Sequence, residues 1–522
     1  MLKRKLDKKT ARKDAYRIIK YFLYCLPVCL FFSYYPVISF GSGETMNFEI
    51  SLPIIWLSLF DVVALALLFK EKKLFSGLKQ KWMWLLFPVW LSLSVIWSLN
   101  AMRGVLTVGI LWLIYFAGYA MWKMRETFDE EFRAKWLKWF FGATLVVCGW
   151  CVIQCVLDLV GVSRDYSLMC AGCTYRLFGF PHPNGFAIEP QFMGNLLLAP
   201  TILVAWLLVK KQDSKNLKRL RSRGVVFTTA KSDSAWYSST RSSFVAVVKT
   251  TTGSLFLGFR FLLFCFFIIA TTLFLTFSRG AIYAFVVGLL FMTGFLMFGT
   301  KVRKERVLVG KRLGLVWGTV VLSFLFTLNM QGVMAQVSPT NDTYMTGVGK
   351  VLNHLSLGVI DLPVEKPVEN LEENRGGEEH LEQVESDAQD AVFDGYVAES
   401  TDIRLKLSEI AVEAWSKDMR TILFGVGLGG AGQALYNAGL SPSPKEIVQN
   451  QYVSLLLETG LVGVSLFVLT VVLVVMVIWK KTQISGMMLS LMVAYGVSLC
   501  FFAGLPNALQ IYLLLICLSL IV

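Results

Sequence analysis

Residues 261–299 read FLLFCFFIIATTLFLTFSRGAIYAFVVGLLFMTGFLMFG, and Arg279 is the only charged side chain among them. An apolar run lies on each side of it, 261–277 and 282–298. Each run is close to the roughly 20 residues that a helix needs to cross a hydrocarbon core. Lipid offers no water to backbone N–H and C=O groups, so each must pair within its own segment, and such runs are predicted to be helical. Arg279 falls in the short turn between them.

The same pattern recurs outward in both directions. Apolar runs occupy 21–40, 52–69, 82–99, 105–122, 139–161 and 192–209 on the amino-terminal side, and 314–329, 461–479, 485–503 and 508–522 on the other. The runs at 314–329 and 508–522 are the shortest. The expected fold is an all-α polytopic membrane protein with about 12 transmembrane helices. The composition agrees, because 55% of the residues are hydrophobic and 16% charged, where a soluble domain carries roughly a quarter charged.

The net charge of +14 raises the question of nucleic acid, and its distribution answers it. With the amino terminus placed in the cytoplasm, the inside segments 1–20, 70–81, 123–138, 210–260, 299–313 and 480–483 hold 38 of the 50 lysines and arginines. The short outside loops hold four, Arg103, Arg164, Arg176 and Arg279. This is the positive-inside asymmetry. The basic side chains also face anionic lipid heads, so the charge calls for membrane lipids as partners and no nucleic acid. The first run is too long, and too free of a small-residue cleavage pattern, for a cleavable signal peptide.

Two insertions interrupt the bundle of 21–329 and 461–522. The basic 210–260 reads as a cytoplasmic loop lying against lipid, like the basic tail 1–20. The second, 330–460, is expected outside. Within it 361–395 (EENRGGEEHLEQVESDAQD at its centre) is acidic, poor in aromatics and expected to be disordered. From 400 to 458 helices are expected: Ile403, Leu407, Ile410, Ala411 and Ala414 recur at helical spacing, a Gly-rich turn LFGVGLGGAG follows, and a further helix begins near Gln449 and meets the next span at Gly460. Most cysteines fall inside spans and serve as small apolar residues, whereas Cys170 and Cys173 on an outside loop are spaced for a disulfide. A metal site would need a second pair of ligands, and none follows.

Several polar residues lie where chemistry is conceivable. Arg279 is fixed between two spans; an arginine at membrane depth usually marks function, and its planar fork suits phosphate, although an interfacial arginine also snorkels to lipid heads. Arg404 opens the surface helix. Glu189 and Glu458 stand near the outer boundary, each placed either as a base or as the partner of an arginine. Arg176, His182 and Asn184 sit in RLFGFPHPNGFAIEPQF, 176–192. The GVGLGG run lacks the strand before it and the Lys-Ser/Thr after it that a phosphate loop requires.

Taken together, three patches in order resemble the O-antigen ligase and polymerase superfamily of bacterial envelope enzymes. The first is RLFGFPHPNGFAIEPQF (176–192) and the second LTFSRGAIYAFVVGLL (275–290). The third, 404–467, runs from Arg404 through Ala411 and Trp415 to ILFGVGLGG and NQYVSLLLETGLVGVSLF. The resemblance covers roughly 175–480, and the first five spans fit it in topology alone.

The resemblance implies a multi-pass protein of the bacterial inner membrane that acts as a glycosyltransferase. The donor would be a glycan on polyprenyl (undecaprenyl) diphosphate, and the acceptor another lipid-linked glycan or a lipid core. No metal or cofactor is implied. Arg279 and Arg404 would take the diphosphate charge. Glu189 and Glu458, ahead of Asp402, would be candidates for the base, and Ser278, Arg176, His182, Asn184 and Asn450 would contact substrate. One position departs from the pattern: the family's ligases carry a histidine directly before the asparagine of the third patch, and here that residue is Gln449, which cannot accept a proton at neutral pH. Ligase and polymerase both stay open, as do two other classes: a lipid-linked sugar transporter, for which Asp61 and Asp158 would be the mid-span polar groups, and a non-catalytic envelope-assembly protein.

Overall fold

The computed structural model describes residues 2–31, 36–43, 46–72, 78–159, 183–187, 189–210, 258–300, 302–337, 343–357, 359–360, 404–439, 441, 444, 448–479, 484–501 and 509–521. Positions 211–257 of the expected cytoplasmic loop, the acidic stretch 361–395, Cys170, Cys173, Arg176 and His182 lie outside the described residues.

The chain is a helical multi-pass membrane protein, and each apolar run predicted above contains a helix. In order these are α1 (Leu2–Phe31), α2 (Leu52–Lys70), α3 (Leu86–Ser94), α4 (Ala101–Met124), α5 (Glu130–Leu159), α6 (Pro190–Lys210), α7 (Phe259–Leu275), α8 (Arg279–Gly299) and α9 (Arg303–Val337). There follow α10 (Tyr344–Leu355), α11 (404–416), α12 (Met419–Phe424), α13 (Ala431–Asn437), α14 (Gln451–Trp479), α15 (Ser485–Ser498) and α16 (Leu509–Ile521). Among the described residues, seven segments are long and apolar enough to cross a membrane by length and composition.

Two expectations change. The first apolar run does not continue to residue 40: α1 ends at Phe31, and Pro36–Gly43 pairs antiparallel with Met46–Ser51 as a two-stranded ribbon. Pro36 removes a helical N–H, and the alternation in VISF and MNFEIS suits strands better than a helix. The described structure is therefore helical with one ribbon. The short run 314–329 is the middle of a 35-residue helix, α9.

At the centre stands α6, buried on almost every face because it is apolar all round. It packs against α7, α8 and α15, and α8 lies along α15. A second group, α1, α2, α4 and α5, packs beside it. Asp61 on α2 is buried, and among the described residues neither of its carboxylate oxygens has a hydrogen-bond partner.

The residues after α10 build a small apolar core of their own. Leu407 and Ala411 of α11 meet Ala431 and Leu435 of α13, Val448 and Leu457. That core is held to the bundle where α14 bends at Gly460, whose φ is +63°. Gly425 and Gly460 let two backbones touch there: a Cβ on Gly425 would overlap the backbone of Glu458, and one on Gly460 would overlap Leu423.

Candidate active site

The α7–α8 junction carries the Ser-Arg-Gly patch. Phe277 stands at φ +45°, a left-handed conformation that a bulky side chain adopts at a cost of about 1–2 kcal/mol. It lets α7 stop and α8 begin within three residues. Ser278 caps α8 by accepting from the Ala281 N–H at 3.4 Å. Arg279 is the first helical residue, 9% exposed, and lies within electrostatic reach of the Tyr283 hydroxyl. The dipole of the α8 amino terminus thus adds to the guanidinium at one place.

Three other elements close on that junction. Gly194 of α6 is so near that a Cβ there would stand 2.8 Å from Ala281 Cβ and 3.0 Å from Ser278 Cβ. On the other side, a Cβ on Gly280 would stand 2.7 Å from Phe501 Cβ. The end of α15 is tied back to α6: Gln191 Nε2 donates to the Phe501 carbonyl at 2.7 Å, Ser498 Oγ donates to Asn195 Oδ1 at 2.6 Å, and Tyr495 Oη donates to the Asn195 carbonyl at 3.1 Å. The start of α14 joins the same turn, its Gln451 N–H donating to the Leu499 carbonyl at 2.9 Å.

Glu189 directly precedes α6. Burial pushes its carboxyl above the ordinary value, and the Arg404 cation opposes that shift. The interaction joins two candidates that are 215 positions apart in sequence. Arg279, Arg404, Glu189 and the Gln449–Asn450 pair are thereby carried on elements that meet at one end of the bundle.

The remaining candidates make local contacts. Asn450 caps α14: its Oδ1 accepts from the N–H groups of Tyr452 at 3.0 Å and Val453 at 3.2 Å. Half-buried Gln449 stands immediately before that cap. Asn184 is fully buried; its Oδ1 accepts from Gln154 Nε2 at 2.9 Å and its Nδ2 donates to the Ala187 carbonyl at 2.7 Å. Glu458 accepts from the Ala431 N–H at 3.4 Å and interacts with Arg103, so it anchors the Gly-rich segment. Within that segment Val426, Gly427 and Leu428 spend their N–H groups on the Leu457 carbonyl, the Glu458 carbonyl and Ser94 Oγ. Those groups are not turned to a phosphate.

Residues 264–468 match the family model for O-antigen ligase. That match supports the resemblance to the O-antigen ligase and polymerase superfamily. The matched stretch runs from α7 into α14, and so includes the Ser-Arg-Gly junction, Arg404 and the Gln449–Asn450 pair, but not Glu189. Comparison with curated proteins and with solved structures gives no match. The family supports a membrane glycosyltransferase of the O-antigen ligase or polymerase type.

The residues that link these elements, Gln154, Gln191, Asn195 and Ser498, do not stand out in the sequence. For Gln154, Asn195 and Ser498 the one signal is an amide or hydroxyl inside an otherwise apolar run, and Gln191 lies in the 176–192 patch just before one.

Proposed function

We propose that the protein transfers or polymerises glycans from a polyprenyl-diphosphate donor on the extracytoplasmic face of the bacterial inner membrane, with its amino terminus in the cytoplasm and about twelve crossings. The observation that carries this reading is the convergence of Glu189, Arg404 and the Arg279 junction. Sidedness rests on charge: Lys210, Arg306 and Arg312 cluster at the ends of α6, α8 and α9 away from Arg279, with Arg312 donating to the Val209 carbonyl at 3.0 Å.

In this mechanism an acceptor hydroxyl attacks the anomeric carbon of the donor sugar. The bond from that carbon to the diphosphate oxygen breaks, and polyprenyl diphosphate leaves with the electron pair. Charge grows on the leaving oxygen, where Arg279 and the α8 amino terminus meet it, with Arg404 as the second cation. Glu189 takes the hydroxyl proton; its raised pKa makes it a better base than an exposed carboxylate. Gln449, which cannot act as a base, orients the acceptor by hydrogen bonding. The lipid tail lies between spans. Arg176, His182 and Ser278 are further substrate contacts in this scheme.

The test is transfer by the purified protein in detergent, where no sidedness exists. Formation of a new glycosidic bond with release of polyprenyl diphosphate supports the enzyme. Buried Asp61, with no hydrogen-bond partner among the described residues, is the observation that favours a transporter instead; glycan-lipid movement in vesicles without bond formation would establish that reading.

A further inference from the structure

The turn that presents Arg279 is gripped from outside the two helices it joins. His354, near the end of α10, is 5% exposed, and its Nε2 lies 3.1 Å from the Phe277 carbonyl oxygen. A carbonyl can only accept, so Nε2 carries the proton and donates. One residue later the Leu355 carbonyl accepts from the Tyr283 hydroxyl, one helical turn beyond Arg279 on α8. Between these two attachments, Phe277 packs with Val351, Leu355, Met334, Ala335 and Cys155. Thr343 caps the other end of α10, its hydroxyl accepting from the Thr346 N–H at 3.2 Å, and α10 packs along α9.

We propose that His354 is a positioning residue: it holds the left-handed Phe277 turn and so fixes where the Arg279 guanidinium meets the donor diphosphate. Phe277 is followed by only one residue before Arg279, so a change in its backbone moves the arginine directly. The Phe277 conformation is costly for a non-glycine residue and persists because its surroundings over-determine it. A hydrogen bond from a buried imidazole on a third helix is such a constraint. This inference rests on the assignment of Arg279 to the diphosphate.

The experiment compares purified His354→Phe, His354→Gln and Arg279→Ala with the parent protein. It measures kcat, the KM for donor and for acceptor, thermal stability, and inhibition by inorganic pyrophosphate. Phenylalanine fills the same space without a donor, while the glutamine amide can donate to the Phe277 carbonyl. His354→Phe is expected to lower kcat/KM for the donor at least about tenfold and to weaken pyrophosphate inhibition in parallel, with the acceptor KM unchanged. His354→Gln is expected to recover most of both. His354→Asn, whose amide falls one bond short, carries the same prediction as His354→Phe should that variant not fold. Parent-like kinetics in His354→Phe, or a loss confined to yield and thermal stability, overturns the inference. If Arg279→Ala alone loses transfer and pyrophosphate inhibition, the diphosphate assignment stands and the role of His354 falls. If Arg279→Ala loses neither, the assignment itself falls.

Discussion

The side-chain amide of Gln191 donates to the carbonyl oxygen of Phe501, 310 positions away, at 2.7 Å. Phe501 in turn lies against Gly280, the residue after Arg279, so the beginning of α6 and the end of α15 confine the α8 amino terminus from two sides.

Gly280 is the tightest point of this arrangement that a single methyl group can probe. The Cβ of Phe501, 2.7 Å from the new atom, is fixed to the backbone and cannot swing away. Gly280→Ala is expected to cost about 1–3 kcal/mol, read as a lower thermal midpoint in detergent, and to reduce transfer with it. An unchanged midpoint would mean that α8 and α15 are not in this contact.

Glu189 and Arg404 make a pH prediction. A base works when ionised, so turnover should rise with pH through the Glu189 pKa, which burial raises. Arg404 favours the ionised form, so Arg404→Ala should move the rise to higher pH, whatever it does to the plateau. Glu189→Gln should remove the rise and lower kcat about 10²- to 10⁴-fold. A pH profile that survives Glu189→Gln would assign the proton to another group.

Glu458 is expected to behave as an anchor for the Gly-rich segment. Glu458→Ala leaves the Ala431 N–H without its acceptor and should lower stability by about 1–3 kcal/mol. Glu458→Gln keeps an acceptor oxygen and should retain most of the transfer. A thermal scan beside the transfer assay separates the roles: full stability with no transfer in Glu458→Gln would make Glu458 the base.

The helices were legible because a long apolar run has one backbone solution in lipid. The ribbon at Pro36–Ser51 was not, since its apolar residues extend the run that precedes it. Gly460 was legible as a joint, and α14 bends there. The convergence of Glu189 with Arg404 was beyond reach, because tertiary packing alone brings them together. His354 gives only the weakest signal, one imidazole at the end of the short helix segment TGVGKVLNHL, 346–355, far in sequence from the other candidates. The partner of Asn184 was equally out of reach, because Gln154 lies on α5 within a predicted span.

The central claim is that Arg279 meets the donor diphosphate. The direct measurement is release of polyprenyl diphosphate by purified Arg279→Ala and Arg279→Lys, with folding checked by thermal midpoint. The account predicts no release from Arg279→Ala and at least about a tenfold loss in Arg279→Lys, whose point charge lacks the planar fork, both at a parent-like midpoint. Release at the parent rate by folded Arg279→Ala would contradict it.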